Sequence, residues 1–272
     1  MKEKLIGEGR TAEILQHKGQ TIVKLYRENV SEQNILREYK VSQFVYTQGI
    51  RSPKPFELIT MNERKGIVFE QILGPSLLKM ISKNPWRVSQ YAKMMAELHY
   101  SLHKLDASEE IGHQKEMLSR CIKEAPMLDI GEKSAILSYL EHLPEDYKLC
   151  HGDFHPDNVL LDQEEAWVID WMTGAAGDPN GDAARSVIMF SKGAIPQQAP
   201  LPVKLMIGFI RKRLTKGYIR EYLRLSGQSY ADIDQWVLPV AAARLVEWLP
   251  HTEKEQLLAE IRKRLKVLSA RK

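Results

Sequence analysis

Asp153, Asn158 and Asp170 are the residues whose types and spacing most suggest chemistry. They stand in His151-Gly152-Asp153-Phe154-His155-Pro156-Asp157-Asn158, followed by Val159-Leu160-Leu161, a polar turn at 162–165, and Trp167-Val168-Ile169-Asp170-Trp171. Two short apolar runs joined by a polar turn predict a β-hairpin. That hairpin puts Asn158 just before its first strand and Asp170 at the end of its second. The three polar residues can then converge although 17 positions separate the two aspartates. A carboxylate and an amide oxygen are the hard donors that Mg²⁺ takes, alongside water and phosphate oxygens. Asp153, ahead of that pair, is placed to accept a proton from a hydroxyl. Such a set suits phosphoryl transfer, in which positioning and charge neutralisation dominate. Residue chemistry alone leaves open a plainer reading, in which these side chains only bond backbone in turns. His151 and His155 are four apart, but the glycine and proline between them argue against a helix, and no third soft zinc ligand stands near. His151 is expected to hold local backbone and His155 to shape the loop.

The elements that must carry these residues follow from periodicity. Residues 5–10, 12–16 and 21–26 read as strands, the last two joined by a turn containing Gly19. Residues 31–48 lack proline and glycine. Ile35, Tyr39, Val41, Phe44 and Val45 suit one face of a helix there, with Ser31 as its cap. Pro53 and Pro55 force an extended passage, and 56–62 with 65–71 read as a second strand pair. After Gly74-Pro75 the period lengthens. Helices are expected at 88–105, once or twice within 112–143, and at 182–190, 203–225, 231–248 and 253–270. The expected fold class is α+β, with an antiparallel-sheet N-terminal lobe carrying one main helix and a large, mostly helical C-terminal lobe. The boundary is placed at 72/73, with the hairpin and the acceptor site in the second lobe.

Composition narrows the class. The chain has 272 residues, 43 % of them hydrophobic and 27 % charged, which permits a substantial core and argues against disorder. The opening residues 1–10 are charged and glycine-punctuated, unlike a secretory signal, and no apolar stretch is long enough to span a membrane. With two cysteines, Cys121 and Cys150, expected as free thiols, a cytoplasmic enzyme fits. The net charge of +4 conceals an asymmetry. Residues 73–200 hold 12 Lys and Arg against 19 Asp and Glu, whereas 201–272 hold 15 against 7. The basic tail reads as solvated helix faces in preference to a nucleic-acid patch.

The run His-Gly-Asp-Phe-His-Pro-Asp-Asn-Val-Leu-Leu from 151 to 161, then Trp167-Val168-Ile169-Asp170-Trp171 and Gly177-Asp178-Pro179-Asn180-Gly181-Asp182, resembles the aminoglycoside phosphotransferase and choline kinase-like superfamily, whose members share the protein-kinase fold. The resemblance is tight over about 150–185 and looser elsewhere. It implies an ATP- and Mg²⁺-dependent phosphotransferase acting on a hydroxyl of a small molecule, such as an amino-containing alcohol or sugar. Asp153 would be the general base, and Asn158 and Asp170 the metal ligands. Lys24 would hold the ATP phosphates and pair with Glu38, with Glu32 as the rival partner. Gly7 and Gly9 would form the loop over the nucleotide, although Ala12 stands where protein kinases place a further glycine. Phe69, Glu70 and Ile72 would flank the adenine. Leu98-His99 would pack on the catalytic loop, and Asp178 and Asp182 would fasten the loop after Asp170, with Asp182 also capping a helix. Trp236, Arg244, Glu247 and Trp248 are candidate walls for the acceptor, and Trp171 and Trp248 candidate cation–π surfaces. A protein kinase is the alternative, disfavoured by the short segment between Asp170 and Gly177. A nucleotide-binding scaffold without transfer is the other. Oligomeric state has no signal.

Overall fold

The computed structural model describes residues 4–192 and 200–270, so the first three residues of the charged opening lie outside it. The chain is α+β and divides into two compact units, Met1–Met80 with Pro156–Gly174, and Ile81–His155 with Ala175–Lys272.

The first unit is built on a five-stranded antiparallel sheet in the order β1-β2-β3-β5-β4, where β1 is Leu5–Glu8, β2 Ala12–Gln16, β3 Thr21–Tyr26, β4 Pro55–Met61 and β5 Arg64–Glu70. Gly19 turns β2 into β3 with φ 62°. Asn62 and Glu63, both at positive φ, make the two-residue turn that matches the twist of β4 and β5. Helix α1 (Glu32–Thr47) starts where the Ser31 side chain accepts a hydrogen bond from the Asn34 amide at 3.3 Å. Its buried face is Ile35, Glu38, Val41, Ser42 and Val45, an apolar stripe with one acid in it.

The hairpin is present, with Val159–Asp162 paired to Glu165–Val168 and a two-residue turn in which Gln163 and Glu164 take positive φ. Contacts group it with the N-terminal sheet, whereas the change of period along the chain places one break at 72/73. The cause is a set of hydrogen bonds that chain order does not reveal. The Leu161 amide donates to the Pro75 carbonyl at 3.0 Å, the Val168 amide to the Arg51 carbonyl at 2.9 Å, and the Trp171 indole to the Ser52 hydroxyl at 3.0 Å.

The second unit is mostly helical. Helix α2 (Leu77–Lys83), not expected from the sequence, leads into it from the first unit. α3 (Val88–His103), α4 (Gln114–Glu124) and α5 (Ile130–Glu141) precede the strand Lys148–Cys150. That strand pairs antiparallel with Ala175–Gly177, just before α6 (Pro179–Lys192). The long α7 (Leu201–Ser226) lies against α3 and ends at Gly227, in the left-handed conformation. The single helix expected over 231–248 is three pieces: α8 (Tyr230–Asp234), α9 (Val237–Ala243) and a 3₁₀ turn at Arg244–Val246. Pro239 explains the interruption, because a residue without an amide proton is tolerated only in a first turn. α10 (His251–Ser269) closes the described chain. Among the described residues no helix is long and apolar enough to cross a membrane, and Cys121 and Cys150 are free.

Gly74 matters for the hairpin's seat. A Cβ there would lie 2.0 Å from the Leu161 carbonyl oxygen, a clash with backbone that no rotamer relieves. Gly74→Ala is therefore expected to destabilise the protein by about 1–3 kcal/mol through overpacking, read as a lower urea midpoint. An unchanged midpoint would show that this approach is not tight in solution.

Candidate active site

Lys24 projects from β3, with Val23, Leu25 and Tyr26 buried around it, and is itself only 8 % exposed. A buried ammonium needs anionic partners, and the first unit supplies two. Lys24 Nζ donates to Glu38 Oε1 at 2.6 Å and to Asp170 Oδ1 at 2.9 Å. Burial acts to lower the lysine pKa, but the Asp170 and Glu38 carboxylates more than reverse this and raise it above its ordinary value. The Tyr26 hydroxyl donates to the other Glu38 oxygen at 2.7 Å, so both oxygens of that buried acid are engaged. Glu32, the rival, lies at the surface and pairs with Lys65 at 3.1 Å.

The residues expected around a nucleotide occupy ordinary structural places. Gly7 lies in β1 and Gly9 in the following turn, where its amide donates to the Ala12 carbonyl at 2.8 Å. Neither takes a positive φ, and an added Cβ would meet nothing nearer than 3.5 Å, so local geometry does not require glycine at either position. Phe69 is buried in β5 beside Ala12, Tyr26, Ile35 and Ile67. Glu70 ends β5, its amide bonded to the Lys54 carbonyl and its carboxylate to the Lys54 amide. Ile72 follows in the half-buried segment before Gly74.

Asn158 and Asp170 stand at the open end of the hairpin. Val159 pairs with Val168, and the Ile169 amide donates to the Asn158 carbonyl at 3.0 Å. Asp170 takes φ 68°, a left-handed conformation that Asp tolerates better than most residues. Its side chain is 37 % exposed, and only Oδ1 is used by Lys24. A partly exposed carboxylate and an amide side chain carried at the same end of the hairpin are hard-oxygen donors, and they fit Mg²⁺ better than a soft or strongly nitrogen-seeking ion.

Asp153 lies in the second unit, on the turn after Lys148–Cys150. That turn hangs from one buried carboxylate. Asp182 Oδ2 accepts the His151 amide at 2.5 Å and Oδ1 the Gly152 amide at 2.9 Å. On its other side Asp182 Oδ2 receives His99 Nε2 at 3.0 Å and His103 Nε2 at 3.3 Å. The Tyr218 and Tyr222 hydroxyls bond the two Nδ1 atoms at 2.7 and 2.6 Å. His99, His103 and Asp182 have donor atoms within 4.8 Å of one another, a spacing that would admit a metal ion. As the structure stands, these atoms bond one another, the two tyrosine hydroxyls and the 151–152 amides, which braces the loop. His99 also stacks on Phe154, ring centroids 4.1 Å apart. Asp182 is the fourth residue of α6 and not its cap: Pro179 starts the helix, and the carboxylate turns to the 151–152 amides. Asp178 bonds the Asn180 amide at 2.7 Å, and its own amide is held by Gln114. His151 Nδ1 accepts the Asp153 amide at 3.1 Å, the backbone-holding part expected of it.

Asp153 itself faces Arg185 Nη2 at 3.0 Å and His155 Nε2 at 3.4 Å. Burial opposes its ionisation, yet His155 and Arg185 hold its carboxyl well below the usual range. A half-buried carboxylate on a braced loop and a buried lysine–acid pair are groups that phosphoryl transfer can use. A model of the phosphotransferase enzyme family matches residues 6–203. The chain belongs to that family. The fold agrees. It is similar to aminoglycoside-3′-phosphotransferase of type VIII at 20 % identity and TM-score 0.62, covering 89 % of this chain and 93 % of that one. It is similar to a thermostable mutant of aminoglycoside phosphotransferase APH(4)-Ia, solved with ADP and hygromycin B, at 15 % identity and TM-score 0.66, covering 96 % and 92 %. Choline kinase from Cryptosporidium parvum Iowa II matches at 15 % identity and TM-score 0.58, covering 99 % and 90 %. The comparison with curated protein sequences gives no match. The family's chemistry is phosphoryl transfer, and these solved structures share the fold.

Some expected wall residues belong to the core. Trp236 and Trp171 are fully buried, so neither offers a face to an acceptor. Arg244 is buried between Glu247 and Glu253, and Trp248 is exposed. Arg185 went unnoticed in the sequence. Its signal is that it is the one arginine of α6, three residues after Asp182 and followed by mostly small and apolar residues.

The brace has a pH signature. Burial, with His103 adding to it, lowers His99 to about 3 from its ordinary 6.5, against the pull of Asp182. Below pH 6.5 the unfolded chain takes up a proton that the folded one refuses, so stability falls with pH across that window. The loss at pH 5 is about 2 kcal/mol. Urea midpoints at pH 8 and pH 5 measure it, and in His99→Gln the difference should largely disappear. Equal midpoints in the native protein would contradict a neutral, buried His99.

Proposed function

We propose that this enzyme moves the γ-phosphoryl group of ATP, with Mg²⁺, to a hydroxyl of a small amino-containing alcohol or sugar. The observation that carries the reading is the Lys24–Glu38–Asp170 cluster, at 2.6 and 2.9 Å, in a family whose chemistry is phosphoryl transfer. An ammonium has three donors, and Glu38 and Asp170 take two of those of Lys24. The third is left for phosphate oxygens, and the two carboxylates keep the amine fixed and charged. Asp170 and Asn158 would hold Mg²⁺, which when bound supplies positive charge to the transferring oxygens. Asp153, kept ionised, orients the acceptor hydroxyl and takes its proton as the bond to phosphorus forms. The nucleotide part is supported by relatives solved with ADP, and with AMP-PNP and Ca²⁺. A cationic acceptor is supported by the acidic balance of residues 73–200.

Incubation with γ-labelled ATP and a panel of hydroxylated amines and sugars, with and without EDTA, tests the reaction. EDTA-sensitive label transfer to a small molecule is expected, and label on a polypeptide alone would overturn the acceptor class. Asp153→Ala should lower kcat by roughly 10²–10⁴-fold while calorimetric Mg·ATP binding persists. Asp170→Ala should weaken that binding itself. Undiminished turnover by the first variant, or undiminished binding by the second, would remove the assigned role.

A further inference from the structure

Five charged side chains of the second unit form one alternating row, and the mechanism above uses only the first. Asp153 Oδ1 meets Arg185 Nη2 at 3.0 Å, and Arg185 Nη1 meets Glu247 Oε1 at 2.7 Å. Glu247 Oε2 meets Arg244 Nε at 3.2 Å, and Arg244 Nη2 meets Glu253 Oε1, on α10, at 3.3 Å. The row is sheltered: the Arg185 side chain is 16 % exposed, and those of Arg244 and Glu253 4 and 6 %. Arg185 stands on α6, one turn beyond Asp182, the residue that holds the 151–152 amides. One helix therefore fixes both the backbone and the side chain of the Asp153 turn.

We propose that Arg185 is a positioning residue that sets the direction and the charge of the Asp153 carboxylate. The inference rests on the reading of Asp153 as the group facing the acceptor. A planar guanidinium can bridge two separate carboxylates with its two terminal nitrogens in fixed directions, which a lysine cannot do. With Oδ1 held by Arg185, the carboxylate is restrained from rotating, and Oδ2 is directed towards His155. Glu247 keeps the guanidinium from collapsing wholly onto Asp153, and Arg244 with Glu253 keeps Glu247 in place. The ionisable groups facing Asp153 are Arg185, His155 and His151. Those facing Arg185 are Asp153, Glu247 and the Cys121 thiol.

Two variants separate charge from geometry. Arg185→Gln removes both, whereas Arg185→Lys keeps the charge and loses the fork. The first measurement is the pH titration of the Asp153 ¹³C-carboxyl resonance, assigned by its absence in Asp153→Asn. It needs no acceptor. In Arg185→Gln the midpoint should rise by about one to three units, and in Arg185→Lys by much less. An Asp153 titration in Arg185→Gln that coincides with the native one overturns the proposal. The second is release of labelled phosphate from ATP to water, or transfer to an acceptor once known. Arg185→Gln should lose about 10–100-fold in kcat with the KM for ATP little changed, its acidic limb should move to higher pH, and Arg185→Lys should recover part of the rate. Full activity in Arg185→Gln also overturns the proposal. Should Arg185→Gln not fold, Arg185→Lys decides alone, with a reduced kcat and a near-native titration expected and native kcat overturning. If the native protein transfers no phosphoryl group at all, the functional reading fails, while the carboxyl titration still decides whether Arg185 governs Asp153.

Discussion

A carboxylate shut away from water must receive from the protein every hydrogen bond that water would have given, and Asp182 meets that requirement with four donors. Two are the amides of His151 and Gly152, and two are the ring nitrogens of His99 and His103. The same bonds that make the buried charge tolerable fix the chain just ahead of Asp153. The tyrosines on α7 complete the histidines, and Phe154 lies against one ring. Helices far apart in sequence are thus committed to one short turn. Burial of the charge and placement of Asp153 are one arrangement viewed from two ends.

The first unit solves the opposite problem, a buried cation. Lys24 sits in a strand with buried neighbours, and Glu38 lies among apolar residues of α1. Either alone would be costly in that setting, and each makes the other acceptable. Asp170 joins them from the end of the hairpin, with the less common backbone angle at which it is held. Its side chain stays partly exposed while Oδ1 is fixed by Lys24.

Much of this was legible in the sequence, for identifiable reasons. Short apolar runs bounded by turn residues located the sheet strands and the hairpin, and the absence of proline and glycine located α1. The ordered run from His151 to Asp182 carried the family. The 14-residue gap from Lys24 to Glu38 could be paired only through the resemblance, since β3 is buried on both faces and alternation there says nothing. What escaped depended on tertiary contacts. The hairpin's attachment to the sheet comes from backbone hydrogen bonds to Pro75 and Arg51, which leave no compositional trace. Trp236 and Trp171 have the same chemistry as Trp248, and burial alone separates core from surface. Arg185 is visible only once its two carboxylates, 32 positions before it and 62 after it, are brought to it.

The hairpin belongs with the sheet, while the chain on either side of it belongs with the helical unit. The polypeptide therefore passes between the units three times, at 80/81, 155/156 and 174/175. Neither unit is a continuous stretch of chain. A fragment stopped after residue 80 would keep the whole five-stranded sheet yet lack Asp170, Trp171 and both hairpin strands, and so would lose one anion of Lys24 and the partner of Ser52. A gene-level division into an N-terminal and a C-terminal half would thus separate residues that the folded protein keeps together. Exchange of parts between relatives would have to move the insert 156–174 along with the first 80 residues, as two pieces of one module.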